Sequence, residues 1–165
     1  MGMNLSKKDY CGLTMLAIFY IIILMKVLSH YRVIDHTADL GIEVFGQDPV
    51  SLFENAAEAL FDLITDLNRI EPAESRTVLV CGQDWADLMV NWLRELLYMW
   101  SAEEKLLGEA RLKKLEENRL SATLYLESYT PEKHVIKTEI KAVTYHQIRV
   151  WPSSSGWKAQ IIFDT

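Results

Sequence analysis

The hydrophobic repeat changes period along this chain, and that change restricts the fold more than any other feature. From Gly108 onward, apolar residues recur at every second position. Leu120, Ala122, Leu124 and Leu126 alternate with Ser121, Thr123, Tyr125 and Glu127. Ile136, Ile140 and Ala142 alternate with Lys137, Glu139 and Lys141, and Ile148 and Val150 continue a strand after a bend near Tyr145-His146. At the end of the sequence Trp157, Ala159, Ile161 and Phe163 alternate with Lys158, Gln160, Ile162 and Asp164. A period of two places successive side chains on opposite faces of a pleated strand. Tyr31 to His36, Leu40 to Gly46 and Arg76 to Cys81 also read as strands, the first two joined by His36-Thr37-Ala38-Asp39.

Two stretches follow the helical period instead. Asp48 suits an N-cap and Pro49 the first helical position, after which Phe53, Ala57, Leu60 and Ile64 share a face opposite Glu54, Glu58 and Asp62. Asp66 to Pro72 is a loop. Asp84 caps a second helix running to about Ala102. Its stripe is Trp85, Leu88, Trp92, Leu96 and Met99, and Asp87, Asn91, Arg94 and Glu95 form its wet side. The order is β-β-α-β-α followed by four or five strands. Strands in succession joined by short turns favour antiparallel pairing. Two amphipathic helices on one face of a mostly antiparallel sheet make an α+β two-layer sandwich.

Residues 1–24 do not share this patterning. Cys11 to Met25 reads CGLTMLAIFYIIILM without a charge, and Lys26 ends the run. A spanning helix needs roughly 20 apolar residues, and no small-residue cleavage site follows, as a secretory signal would require. A membrane anchor or uncleaved signal, a buried core element and a start codon placed too early are the available readings. The last is favoured, because MKVLSHYRVIDHTAD from Met25 leads naturally into a first strand. One domain over residues 25–165 is therefore expected, with 1–24 outside the fold. Contact with a membrane follows only if that segment is a true anchor.

Composition narrows the function classes. The chain of 165 residues is 50% hydrophobic and 24% charged, enough to bury a core. A formal net charge of −6 argues against a protein that grips nucleic acid directly. Cys11 and Cys81 are too few for a disulfide framework, so a reducing, cytoplasmic setting is expected. No nucleophile elbow, phosphate loop, dinucleotide fingerprint or zinc spacing is present. His30, His36, His134 and His146 are scattered, and a lone histidine in such a chain is more often a hydrogen-bonded structural group than a base. The carboxylates are more suggestive. Asp35 and Asp39 flank the first turn, and Asp164 precedes Thr165, the last residue. If the first turn lies beside the end of the last strand, Asp39, Asp164 and the main-chain carboxylate of Thr165 offer three hard oxygen donors. Such donors suit Mg²⁺, Mn²⁺ or Ca²⁺. The plain alternative is that Asp35 and Asp39 satisfy turn amides while Asp164 is simply solvated.

YRVIDHTADLGIEVFG, LFENAAEALFDLITD, LMVNWLRELLYMW, IKAVTYHQIRV and the terminal IIFDT, in this order, resemble the archease family. The likeness runs from Met25 to Thr165, and the combination of DHTAD, IKAVTYH and a penultimate Asp is its specific part. Thr165 departs from the aliphatic last residue expected there. The resemblance implies a non-enzymatic activator of an RtcB-type RNA-splicing ligase in tRNA splicing, one that speeds ligase guanylylation and allows many turnovers. It maps metal binding onto Asp39, Asp164 and Thr165 and places Lys141 at a position linked to activation. Asp35 and His36 are secondary candidates. Two other classes stay open: a small metal-dependent hydrolase using Asp39 and Asp164, which lacks a convincing general base because His36 is the only near candidate, and a metal-independent chaperone or scaffold.

Overall fold

The computed structural model describes residues 30–34 and 39–165. The expectations for residues 1–24, for a start at Met25, and for Asp35 and His36 fall outside the described residues. Residues Tyr31–Thr165 form one unit.

Its elements run β1 (Tyr31–Ile34), β2 (Leu40–Gly46), α1 (Pro49–Ile64), β3 (Glu74–Cys81), α2 (Trp85–Glu103), β4 (Lys105–Glu116), β5 (Arg119–Ser128), β6 (Ala142–Val143), β7 (Arg149–Ser153) and β8 (Gly156–Asp164). The α+β class and the antiparallel pairing are as expected, but the strands divide between two sheets. One has the order β1-β2-β8-β6, with β7 also paired to β8; the other has the order β3-β5-β4. Hydrophobic alternation tells each strand which face to bury. It does not say which strands share a sheet.

Both helices start where the sequence signals a start. Asp48 accepts from the Ser51 N–H at 2.7 Å while the Ser51 hydroxyl accepts from the Asp48 N–H at 3.1 Å, a reciprocal cap. Asp84 accepts from the Asp87 N–H at 2.9 Å. Helix α1 buries Leu52, Ala56, Ala59 and Phe61 in addition to its expected stripe. It packs against β2 of one sheet and β4 of the other, so its apolar surface is wider than a one-sided helix needs. Its polar face is also engaged: Glu54 accepts the Leu112 N–H of β4 at 2.7 Å. Asp62 accepts from the Tyr31 hydroxyl and from Lys137 Nζ, the latter at 3.1 Å.

The stretch from Tyr129 to Lys141 departs from expectation. Its alternating residues suggest a strand, yet only Ala142–Val143 pairs as one, and Ile136 makes a single bridge to Thr65. Lys137 N–H reaches Ile64 O at 2.8 Å and Thr65 Oγ1 donates to Val135 O at 2.8 Å. The alternation here records one-sided burial of a chain tied to the end of α1. A polar cluster fixes its start. His134 is buried, and Nδ1 accepts the Thr130 N–H at 3.0 Å, so Nε2 carries the proton facing Glu127 at 3.3 Å. Lys133 bridges Glu127 at 2.6 Å and Glu71 at 2.8 Å. His134 is thus the structural histidine its setting suggests.

Burial pushes the Glu127 carboxyl up, but hydrogen bonds from Lys133 and the Glu71 N–H, with the Lys133 charge, pull it below the ordinary range overall. A carboxyl lowered in the folded state stabilises the fold above its unfolded value. That contribution is lost as pH falls through the folded value. Stability is therefore expected to decline below about pH 4.5. Glu127→Gln should flatten that decline in a series of denaturant melts, whereas an unchanged acid limb would remove Glu127 from its cause.

Candidate functional site

The expected site residues lie at one end of the larger sheet. Strand β8 runs between β2 on one side and β7 then β6 on the other. Leu40 pairs with Phe163, so the next positions outward set Asp39 opposite Asp164. Across the other edge Ala142 pairs with Asp164, and the Lys141 N–H donates to Asp164 O at 2.8 Å. Asp164 thus has Asp39 on one flank and Lys141 on the other. Phe163, Ile161, Val143 and Ile140 are buried just behind and anchor this end, while Asp164, Thr165 and Lys141 are exposed and Asp39 is half-buried.

Like charges set opposite each other on neighbouring strands repel. Asp39 and Asp164 stand one position beyond the Leu40–Phe163 pair on neighbouring strands, and a cation held between them would offset their like charges. Carboxylate oxygens are hard donors, of the kind that suits Ca²⁺, Mg²⁺ or Mn²⁺ better than a soft metal. Among the described residues no three His, Cys, Asp or Glu side chains cluster as a metal site.

Beside this end lies a polar network that the sequence reading does not anticipate. The Tyr145 hydroxyl donates to Asp87 Oδ1 at 2.5 Å. Asp87 Oδ2 accepts from the Gln83 N–H at 2.8 Å and from Asn91 Nδ2 at 3.3 Å. Arg94 Nε donates to Val143 O at 3.1 Å, and its guanidinium lies 4.7 Å from the centre of the Tyr145 ring. The wet side of α2 is therefore fastened to β6 and to the residues just after it. The only sequence signal was the helical spacing of Asp87, Asn91 and Arg94 on one polar face. The Tyr145 hydroxyl, followed by the Gln83 N–H, holds the Asp87 carboxyl below its ordinary range; Asp87 in turn raises the Tyr145 phenol. Tyr145→Phe should return Asp87 toward ordinary titration with the fold unchanged, as read by carboxyl carbon NMR. An unmoved Asp87 titration would show that the bond does not form in solution.

These observations define a small α+β protein of two antiparallel sheets and two helices, with paired carboxylates and a lysine at one exposed sheet end. Residues 31–165 match the Archease protein family (MTH1598/TM1083). The chain is 40% identical over 144 residues to the protein archease of Pyrococcus abyssi, covering 85% of this chain and 99% of that one. With the protein archease of Methanosarcina mazei it shares 36% over 138 residues, 81% of this chain and 94% of that one. The solution structure of Methanobacterium thermoautotrophicum protein 1598 superposes with a TM-score of 0.71 at 31% identity, covering 84% of this chain and all of that one. A Thermotoga maritima crystal structure, described as an archease and possible chaperone, shares the fold with a TM-score of 0.57 at 23% identity, covering 80% of this chain and 94% of that one. The chain belongs to the archease family. Among the described residues no helix is long and apolar enough to cross a membrane.

Proposed function

We propose that this chain is a non-enzymatic, cytoplasmic protein cofactor that activates an RtcB-type RNA-splicing ligase in tRNA splicing, promoting ligase guanylylation and repeated turnover. The supporting observation is the exposed sheet end at which Asp164 lies between Asp39 and Lys141. Membership of the archease family accords with this reading. Net charge does too: an acidic protein is poorly suited to holding RNA itself and well suited to approaching a basic, RNA-binding enzyme.

Asp39, Asp164 and the Thr165 carboxylate would hold a divalent cation. The cation would supply the positive charge that two facing carboxylates lack. Lys141 is exposed beside them and can reach outward to an acceptor on the partner. Its backbone N–H, bonded to Asp164 O, ties its position to that of the carboxylates.

The test is the rate of ligase–GMP formation from GTP at limiting metal, with and without this protein. Acceleration is expected; none would defeat the proposal. Metal binding has its own readout. Ligand that binds only the folded state raises the melting temperature by mass action. A melting series with Ca²⁺, Mg²⁺ and Mn²⁺ should show a rise with at least one ion. Extending the chain past Thr165 should reduce that rise by converting the terminal carboxylate to an amide.

A further inference from the structure

A groove of about 580 Å³ opens where the end of α2 meets the stretch from Tyr129 to Lys141. Trp100 and Tyr129 line it edge to face, with ring centres 5.3 Å apart, and buried Ile140 lies behind. Glu104, Glu139 and Lys141 also line it. Glu104 is placed there by the left-handed end of α2, at φ 53°, where its carbonyl accepts the Tyr129 N–H at 2.8 Å.

The charges in this groove differ from those around it. The chain neighbours of Glu104 are both paired elsewhere: Glu103 holds Arg76 at 2.8 Å and Lys105 holds Glu74 at 2.9 Å. Lys137, close to Glu139 in sequence, is paired with Asp62. Among the described residues, the side chains of Glu104, Glu139 and Lys141 make no ion pair or hydrogen bond within the protein. Two carboxylates against one ammonium leave the groove net negative, over two half-buried aromatic rings.

That combination selects a flat cation. A guanidinium stacks on an indole or phenol face and donates in a fork to a carboxylate, whereas a phosphate-bearing ligand would meet a net negative groove. We propose that this groove receives an arginine side chain presented by the protein partner. The proposal rests on the reading that the partner is a basic, RNA-handling enzyme. It adds the anchor by which such an enzyme would dock beside Lys141.

The decisive experiment needs no partner. The full-length chain is titrated with acetyl-Gly-Arg-Gly-amide, with the corresponding glutamate peptide and with GMP, and followed by NMR at the Trp100 indole N–H and the Tyr129 amide. The arginine peptide should shift both signals saturably, with a dissociation constant on the order of 1 mM. The other two probes should not. The double variant Glu104→Gln/Glu139→Gln replaces exposed side chains isosterically. It should melt like the parent and bind the arginine peptide at least tenfold more weakly. No saturable shift with the arginine peptide, equal binding by the double variant, or preferential binding of GMP would each overturn the proposal. A ligase that gains nothing from the wild-type protein would defeat the activator reading while leaving the peptide result standing.

Discussion

Trp92→Ala is expected to remove about 4–6 kcal/mol of folding stability, the largest loss from any single side chain considered for this protein. Trp92 is fully buried on α2, and its indole N–H donates to Phe53 O of α1 at 2.9 Å. Truncating a buried tryptophan to alanine typically costs about 3–5 kcal/mol, because the transfer term and the residual cavity add. The lost hydrogen bond contributes about 1 kcal/mol more. A domain of this kind has about 5–15 kcal/mol in total, so the variant would retain a small margin or none. Trp92→Phe keeps most of the volume and should lose markedly less. Urea unfolding of the three proteins side by side provides the measurement. A Trp92→Ala midpoint close to the parent's would mean that the α1–α2 joint is held elsewhere, for instance by the Phe53, Trp85 and Trp157 rings spaced 5.9 and 5.6 Å apart.

Trp92 also illustrates what the sequence could reveal. Its place in the apolar stripe of α2 was readable from spacing, and so were the caps at Asp48 and Asp84, because each depends on neighbours a few residues away. The acceptor for its indole N–H was not readable, since Phe53 lies on another helix. The same limit explains the stretch from Tyr129 to Lys141. Its pattern correctly marks Ile136 and Ile140 as inward and Lys137, Glu139 and Lys141 as outward. Alternating burial requires only that the chain run extended over the core. Here its backbone bonds go to Glu104, Thr130 and Ile64, and only its last residue, Lys141, bonds to a strand, at Asp164 O.

The candidate site was legible to the extent that it is a property of strand ends. A strand patterned up to Asp164 and a second beginning at Leu40 place Asp39 and Asp164 together if the two are antiparallel neighbours, and the register shows that they are. The Asp87–Tyr145 bond joins residues 58 positions apart on elements whose docking no local pattern encodes. The arrangement of the groove beside Lys141 is likewise tertiary. Glu104 is an unremarkable surface acid until its left-handed backbone and the Tyr129 N–H turn it toward the aromatic pair.

Asp39→Ala and Asp164→Ala are each expected to abolish most of the acceleration of ligase–GMP formation while leaving a folded protein. Both residues sit outward of the buried Phe163 layer, so neither removes apolar contact area. Losing one of two facing carboxylates relieves repulsion in the metal-free state. Each variant should therefore melt no lower than the parent without metal and gain less from added metal. The two effects have opposite signs, which separates loss of a cation site from general damage. Lys141→Ala keeps its main-chain bond to Asp164 and should lose part of the acceleration with the metal-dependent melting shift intact. That outcome would divide the proposed functions, with the carboxylates holding the ion and the lysine acting on the partner. A metal-independent scaffold makes the contrary prediction, with full acceleration by Asp39→Ala and Asp164→Ala in a protein whose melting does not respond to any of the three ions. If the acceleration survives in both aspartate variants but disappears in Lys141→Ala, the partnership stands and the cation has no part in it.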